Sequence, residues 1–413
     1  MQSCVLSIKK GIEINMKKIL VVGAGNLQVN TIKLIKELGY YCIAIDGNQN
    51  SIGFKFCDEY EVIDVLNVSA CVEYAKSKKI DGVTTTSATI TLPAVSAIAK
   101  ELGLIGINSE VVDVLRDKYK IKKKLFDYGC NIYGYFGEVS TEKLYHELKN
   151  NITYPVVIKP SDGSGSKGIS IVYDENNLSK AIKYAYESSR TKNIYVESFI
   201  EGKEYGVECF VMNGEVIIYG IIKQTFVEHK DEIEYGHCLP SGLPIDIEHK
   251  IEDEVKKAIK CLGINYGSVN MDIILSNDNK PYIIDVGARI GLNKIAEKIV
   301  PLATGVDILK NTIKVCLGEK VDLYPRYIRN IATRVILPKP GKVKEIKNYS
   351  EIFKQEDVLE IILNIEAGNQ IHQYKTKADA CGWIFTTGKN IEEAELLANM
   401  TTKKVYSNII YEE

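Results

Sequence analysis

Residues 156–168, Val-Val-Ile-Lys-Pro-Ser-Asp-Gly-Ser-Gly-Ser-Lys-Gly, restrict the fold more than any other stretch of the chain. A short apolar strand ends in Lys159 and passes directly into a glycine loop. Gly163, Gly165 and Gly168 keep the Gly-x-Gly-x-x-Gly spacing, a weak signal alone that fits an ordinary surface hairpin equally well. A dinucleotide fingerprint requires a helix after that loop. Residues 169–173, Ile-Ser-Ile-Val-Tyr, read instead as a second strand. Strand, glycine loop, strand makes a flexible flap whose bare backbone N–H groups can cover a polyphosphate, with Lys159 adding charge from the strand.

A chain of 413 residues is too long for one ordinary domain and predicts two to four. Its hydrophobic share of 45% and charged share of 26% are those of a globular protein. With a net charge of −2 and no concentrated basic block, no nucleic-acid partner is expected. No apolar run reaches the roughly 20 residues of a membrane span, so no membrane partner is expected either. Residues 1–15 lack the apolar core of a signal peptide and read as a tail or a start extension before Met16. Ten cysteines without a Cys-x-x-Cys pair suit reduced, core-packed thiols and a cytoplasmic protein. The five histidines show no metal-ligand spacing.

Taken in order, residues 18–22 form a buried-type strand, followed by Gly23-Ala24-Gly25-Asn26-Leu27-Gln28 and an amphipathic helix through Leu38. A second strand, 41–46, ends in Asp46. This βαβ start raises a nicotinamide-dependent oxidoreductase as one reading. Against it, Gln28 occupies the place of the third glycine, which favours a Rossmann-like domain without a dinucleotide. Further βα units carry this domain to about residue 110. Residues 113–128 predict one helix bearing Lys118 and the run Lys122–Lys124, and such a lysine run usually marks a solvated face. The flap, a helix near 178–187 and two strands around Glu197 and Glu204 follow. Asn213-Gly214 predicts a tight hairpin. Residues 319–330 read as a charged linker and 331–413 as a small α+β cap with no motif of its own chemistry.

Two acids in apolar strands carry the chemistry. Residues 269–275 and 281–286 are strands joined by the turn 276–280. A hairpin symmetric about Asp278-Asn279 sets Ile273 against Ile284 and Asp272 against Asp285, with the carboxylates on one face. Like charges so opposed need a cation, and Mg²⁺ on a nucleotide's phosphates suits them. Arg289 follows closely enough to hold an anion in the same region.

These motifs, in this order, resemble those of ATP-grasp carboxylate–amine ligases, in the branch of biotin carboxylase and the bacterial L-amino-acid ligases, from Met16 to the C-terminus. The resemblance implies an α/β and α+β multidomain protein. It would hold a Rossmann-like domain over 16–110, an ATP-grasp domain over 111–330 with a lid at about 125–195, and the α+β cap over 331–413. It implies that Lys118 and Lys159 contact ATP phosphates beneath Gly163, Ser164, Gly165, Ser166 and Gly168. Glu197 would accept the adenine amino group, Phe199 and Ile200 would line the base, and Glu204 would take the ribose hydroxyls. Asp272 and Asp285 would hold Mg²⁺, with Mn²⁺ as a substitute, and Arg289 would stabilise the transferring phosphoryl group. The segment 234–241 resembles an acceptor-side loop with His237 as its best polar group, a position where a histidine is otherwise merely solvated. In place of the superfamily's Glu-x-Asn-x-Arg stands Asp285-Val286-Gly287-Ala288-Arg289, which implies one loosely held metal ion. Biotin carboxylases follow the arginine with Gln-Val-Glu-His; Ile290-Gly291-Leu292-Asn293 disfavours that activity.

The expected function is an ATP-dependent ligase joining a small-molecule carboxylate to an amine through an acyl phosphate, with a homodimer expected from the resemblance. Three rivals remain at this stage. One is an ATP-dependent carboxylase or a purine- or carbamoyl-phosphate-type enzyme. The others are the nicotinamide oxidoreductase and a non-catalytic nucleotide-binding protein.

Overall fold

The computed structural model describes residues 16–86, 89–139, 152–163, 167–227, 230–291, 294–347, 355–374 and 379–412. Ser164, Gly165 and Ser166 of the glycine loop lie outside the described residues.

Four parallel strands open the chain: β1 (Lys18–Val22), β2 (Tyr41–Asp46), β3 (Glu59–Val62) and β4 (Gly82–Thr84), in the order β3-β2-β1-β4. Apolar residues on both faces of β1 and β2 pack under the helices Val29–Glu37, Val68–Lys78 and Leu92–Leu102, as a sheet buried on two sides requires. The glycine turn after β1 is closed from within. The Asp46 carboxylate accepts the N–H of Ala24 at 2.7 Å and of Asn48 at 2.8 Å. The N–H of Gly53 reaches the Ala24 carbonyl at 2.8 Å, laying a further turn across the first one. Gln28 is buried beneath it. An acid and a turn that would serve a dinucleotide are thus spent on the turn itself.

The lid sheet holds β5 (Phe136–Val139), β6 (Val156–Pro160), β7 (Ser170–Val172) and β8 (Ile194–Ser198), ordered β5-β8-β6-β7. β6 and β7 form the expected antiparallel hairpin about the glycine loop. The helix Leu178–Ser188 seals one face through Leu178, Ala181 and Ala185.

The central sheet orders β13 (Pro281–Gly287), β12 (Tyr266–Ser276), β9 (Gly202–Met212), β10 (Glu215–Val227), β11 (Lys230–Leu239), β14 (Asn330–Val335), β18 (Gly382–Gly388) and β16 (Val358–Leu363). A fourth sheet, β17 (Gln370–Ile371), β15 (Gly341–Ile346) and β19 (Ile409–Tyr411), flanks it. Within the C-terminal segment, β14, β18 and β16 continue the central sheet. Buried Arg334 of β14 reaches Glu395 at 2.9 Å and Asn399 at 2.7 Å on the helix Ile391–Ser407 and fixes that helix to the sheet.

Two-residue alternation divides the central strands. Val207, Cys209 and Val211 of β9, with Val269, Met271 and Ile273 of β12, enter the core beside the helix Ile245–Leu262. Glu204, Gly206 and Glu208 of β9, with Ser268, Asn270 and Asp272 of β12, face the opposite way. That polar face carries the site.

Candidate active site

Asp272 and Asp285 are register partners across β12 and β13. The hairpin is not symmetric, however, because Ile273 pairs with Ile283 and Ile284 is the extra residue of a bulge. The bulge restores the faces: Ile283 enters the apolar core while Asp285 stays beside Asp272. Gln224 of β10 donates to Asp272 at 3.3 Å.

The single helix expected over 113–128 is two helices, Ser109–Leu115 and Lys118–Asp127. Asp117 breaks them apart by capping the second, its carboxylate accepting the N–H groups of Tyr119 and Lys120. The break places Lys118 in the first turn, where its Nζ meets Asp285 Oδ1 at 2.6 Å. Burial pushes the Asp285 carboxyl up, but Lys118, then Lys159 and Arg289, more than offset this and hold it below the usual range.

Lys122 was read as part of a solvated run, yet it is buried. The helix turns it inward, where Nζ donates to the Ile283 carbonyl at 2.9 Å and meets Glu197 Oε2 at 3.1 Å. It thereby ties the central sheet to the lid sheet. Glu197 Oε1 takes Lys159 at 2.5 Å, and the Tyr195 hydroxyl donates to Oε2 at 2.9 Å. Burial alone would raise the Glu197 carboxyl; the charges of Lys122 and Lys159 overcome it and set the carboxyl at about 2. A crevice of about 230 Å³ runs between Lys118, Lys122, Tyr195 and Asp285. The signal for Lys122 was present in the sequence, since it stands one helical turn after Lys118.

Ile200 is buried, and the Phe199 N–H is held by the Pro155 carbonyl at 3.0 Å. Glu204 sits on the site face of β9, opposite Ile274. Gly163 and Gly168 flank the lid turn, with Gly168 in the left-handed region at φ +83°.

His237 does not lie in a loop. It belongs to β11, in register with Gln224 and Thr333, and is only 2% exposed. Its Nε2 lies 2.6 Å from Glu234 Oε1. Strand pairing on both sides removes it from solvent and brings it to the face that carries Gln224 and Asp272.

A side chain begun at Gly287 would meet Arg289 Cγ at 3.3 Å and Cζ at 3.4 Å. The guanidinium thus folds back over Gly287. Sequence reasoning missed Glu208, which is fully buried beside this arginine. It accepts the Gly291 N–H at 2.9 Å and the Asn270 amide at 3.2 Å. Burial pushes its carboxyl up to about 8. Only its place in the strand marks it, and a Glu in an apolar run is ambiguous from sequence.

Among the described residues no three His, Cys, Asp or Glu side chains gather as a metal-holding group. That suits Mg²⁺, which is commonly held by one or two carboxylates together with substrate phosphates. The Asp272–Asp285 pair fits such an ion.

A glycine-lid sheet facing a larger antiparallel sheet, with lysines and paired acids in the crevice between them, defines an ATP-grasp fold. Residues 152–297 match the ATP-grasp domain and 334–408 match the L-amino acid ligase C-terminal domain 2, so the chain carries an ATP-grasp domain followed by that C-terminal domain. A phosphoribosylglycinamide synthetase of Anaerococcus prevotii superposes with a TM-score of 0.75 at 26% identity, over 96% of this chain and 100% of that one. An L-amino acid ligase of Bacillus licheniformis superposes with a TM-score of 0.79 at 22% identity, over 96% and 99%. The carbamoyl phosphate synthase large chain of Clostridium acetobutylicum is 25% identical over 80% of this chain and 31% of its own length. The chain thus spans about a third of that relative.

Proposed function

We propose that this chain activates a small-molecule carboxylate with ATP and couples the resulting acyl phosphate to an amine. A carboxylate oxygen attacks the γ-phosphorus and the bond to the β-phosphate oxygen breaks, releasing ADP. The amine nitrogen then attacks the acyl carbon, loses a proton, and expels inorganic phosphate. The C-terminal match to the L-amino acid ligase domain supports an amine acceptor over bicarbonate.

The observation that carries this reading is the cross-strand pair Asp272–Asp285, with Lys118 on Asp285 and with Lys159 joined through Glu197 to Lys122 of the same crevice. Asp272 and Asp285 would hold Mg²⁺, which supplies charge neutralisation for the phosphates. Lys118 and Lys159 bind phosphate oxygens, with Glu197 fixing Lys159 and offering a remaining lone pair to the adenine amino group. Glu204 takes the ribose hydroxyls, Phe199 and Ile200 flank the base, and the loop from Gly163 to Gly168 closes over the phosphates. Closure excludes water, which would hydrolyse the acyl phosphate. Arg289 neutralises charge on the transferring phosphoryl group, and His237 with Glu234 marks the acceptor side. Nine described cysteines form no disulfide, which supports a reducing, cytoplasmic setting.

The test is ADP release that depends on both a carboxylate and an amine, with mass identification of the product. It should fall by at least about a hundredfold in Asp285→Ala. Turnover equal to wild type in that variant refutes the metal assignment.

A further inference from the structure

A cleft opens between the first parallel sheet and the central sheet, walled by Thr84, Thr85, Ile105, Ser268, Arg289 and Val315. Two independent features of the fold lead a substrate there. In the order β3-β2-β1-β4 the chain runs outward from β1 through β2 to β3 and then crosses back to lay β4 on the other side of β1, so the carboxyl ends of β1 and β4 form a topological switch point, where open α/β sheets bind ligands. Thr84 ends β4 at that point. From the other side, Ser268 lies on the same β12 face as Asp272, four residues away, or ~14 Å along the strand. Arg289 joins the two regions, since it walls the cleft and its guanidinium folds over Gly287, two residues from Asp285 on β13.

The lining selects the chemistry. Among the described residues that wall the cleft, Arg289 is the one charged side chain. Three of the hydroxyls are already engaged: Thr85 donates to the Val22 carbonyl at 3.0 Å, Thr312 donates to the Ile308 carbonyl at 2.9 Å, and Ser268 lies 3.1 Å from Thr312. Among those described residues no carboxylate is present to receive a cationic group, and a second anion would enter a wall that is mostly aliphatic. Resting on the function proposed above, we propose that this cleft receives the uncharged aliphatic tail of the carboxylate substrate. The substrate's carboxylate lies at Arg289 and faces the Asp272–Asp285 pair. The substrate class is thus a monocarboxylate, or an amino acid, with an apolar side chain.

Calorimetry on the full chain, with and without Mg²⁺ and a non-hydrolysable ATP analogue, tests the cleft apart from turnover. Isocaproate should bind, and glutarate and ε-aminocaproate should bind at least about tenfold more weakly. Ile105 stands on a loop at the cleft wall, outside the proposed catalytic groups. Ile105→Trp should weaken isocaproate binding about tenfold while leaving nucleotide binding unchanged. Absence of isocaproate binding in wild type, equal binding of the three acids, or full binding by a folded Ile105→Trp overturns the proposal. The three-acid comparison needs no variant, so misfolding of Ile105→Trp leaves a decisive measurement. Isocaproate binding without acid-dependent ADP release would uphold the cleft and refute the ligase reading.

Discussion

Replacing Glu197 with glutamine tests the most tightly coupled charges in the structure. The substitution keeps the shape but leaves Lys122 and Lys159, with side chains only 7% and 8% accessible, without their shared counter-charge. Removing one partner of a buried ion pair costs about 3–5 kcal/mol. A second route gives a similar figure. The carboxyl is displaced from 4.5 to about 2, which at about 1.36 kcal/mol per pH unit corresponds to about 3 kcal/mol. Because the folded value is depressed, this contribution is fully present above pH ~4.5 and disappears as the pH falls through ~2. Glu197→Gln should therefore lower the thermal midpoint by roughly 4 °C at neutral pH. It should also lose less further stability than wild type between pH ~4.5 and ~2. Differential scanning calorimetry across that range is the assay, with nucleotide left out. A midpoint within a degree or two of wild type, together with an unchanged acid limb, would show that the lysines are stabilised by something other than Glu197.

Gly287→Asn should push the folded-back Arg289 guanidinium off its resting place, lowering kcat by about tenfold with little change in stability; unchanged kcat would detach Arg289 from the reaction. Glu208 has a raised carboxyl, so wild-type stability should fall as pH rises from ~4.5 to about 8, and Glu208→Gln should flatten that slope in urea titrations. ATP with Mg²⁺ at about a hundred times Kd should stabilise the fold by about 2.7 kcal/mol in thermal-shift assays while NAD does nothing, since Asp46 is occupied by Ala24 and Asn48. A shift with NAD equal to that with ATP would reopen the first glycine turn as a ligand site.

Much of the fold was legible because local periodicity fixes it. Alternating apolar residues on either side of a glycine loop gave the lid hairpin, and two apolar strands about a short turn gave the Asp272–Asp285 register. The Asn213-Gly214 turn was equally local, with both residues at positive φ. What tertiary structure alone decided are matters of partner and face. The bulge at Ile284 belongs to the pairing of the edge strand β13 with β12, so symmetry misplaced Ile273 even while the acids aligned. Lys122 reads as solvated until the lid sheet brings Glu197 to it, and His237 reads as a loop residue until β10 and β14 pair on either side of it. That the C-terminal strands extend the central sheet is hidden in sequence, because hydrogen bonding to β11, many residues earlier, leaves no trace in their own residues. Composition and spacing determine which elements form; long-range pairing determines which side chains lose water and find a counter-charge, and the chemistry follows from that.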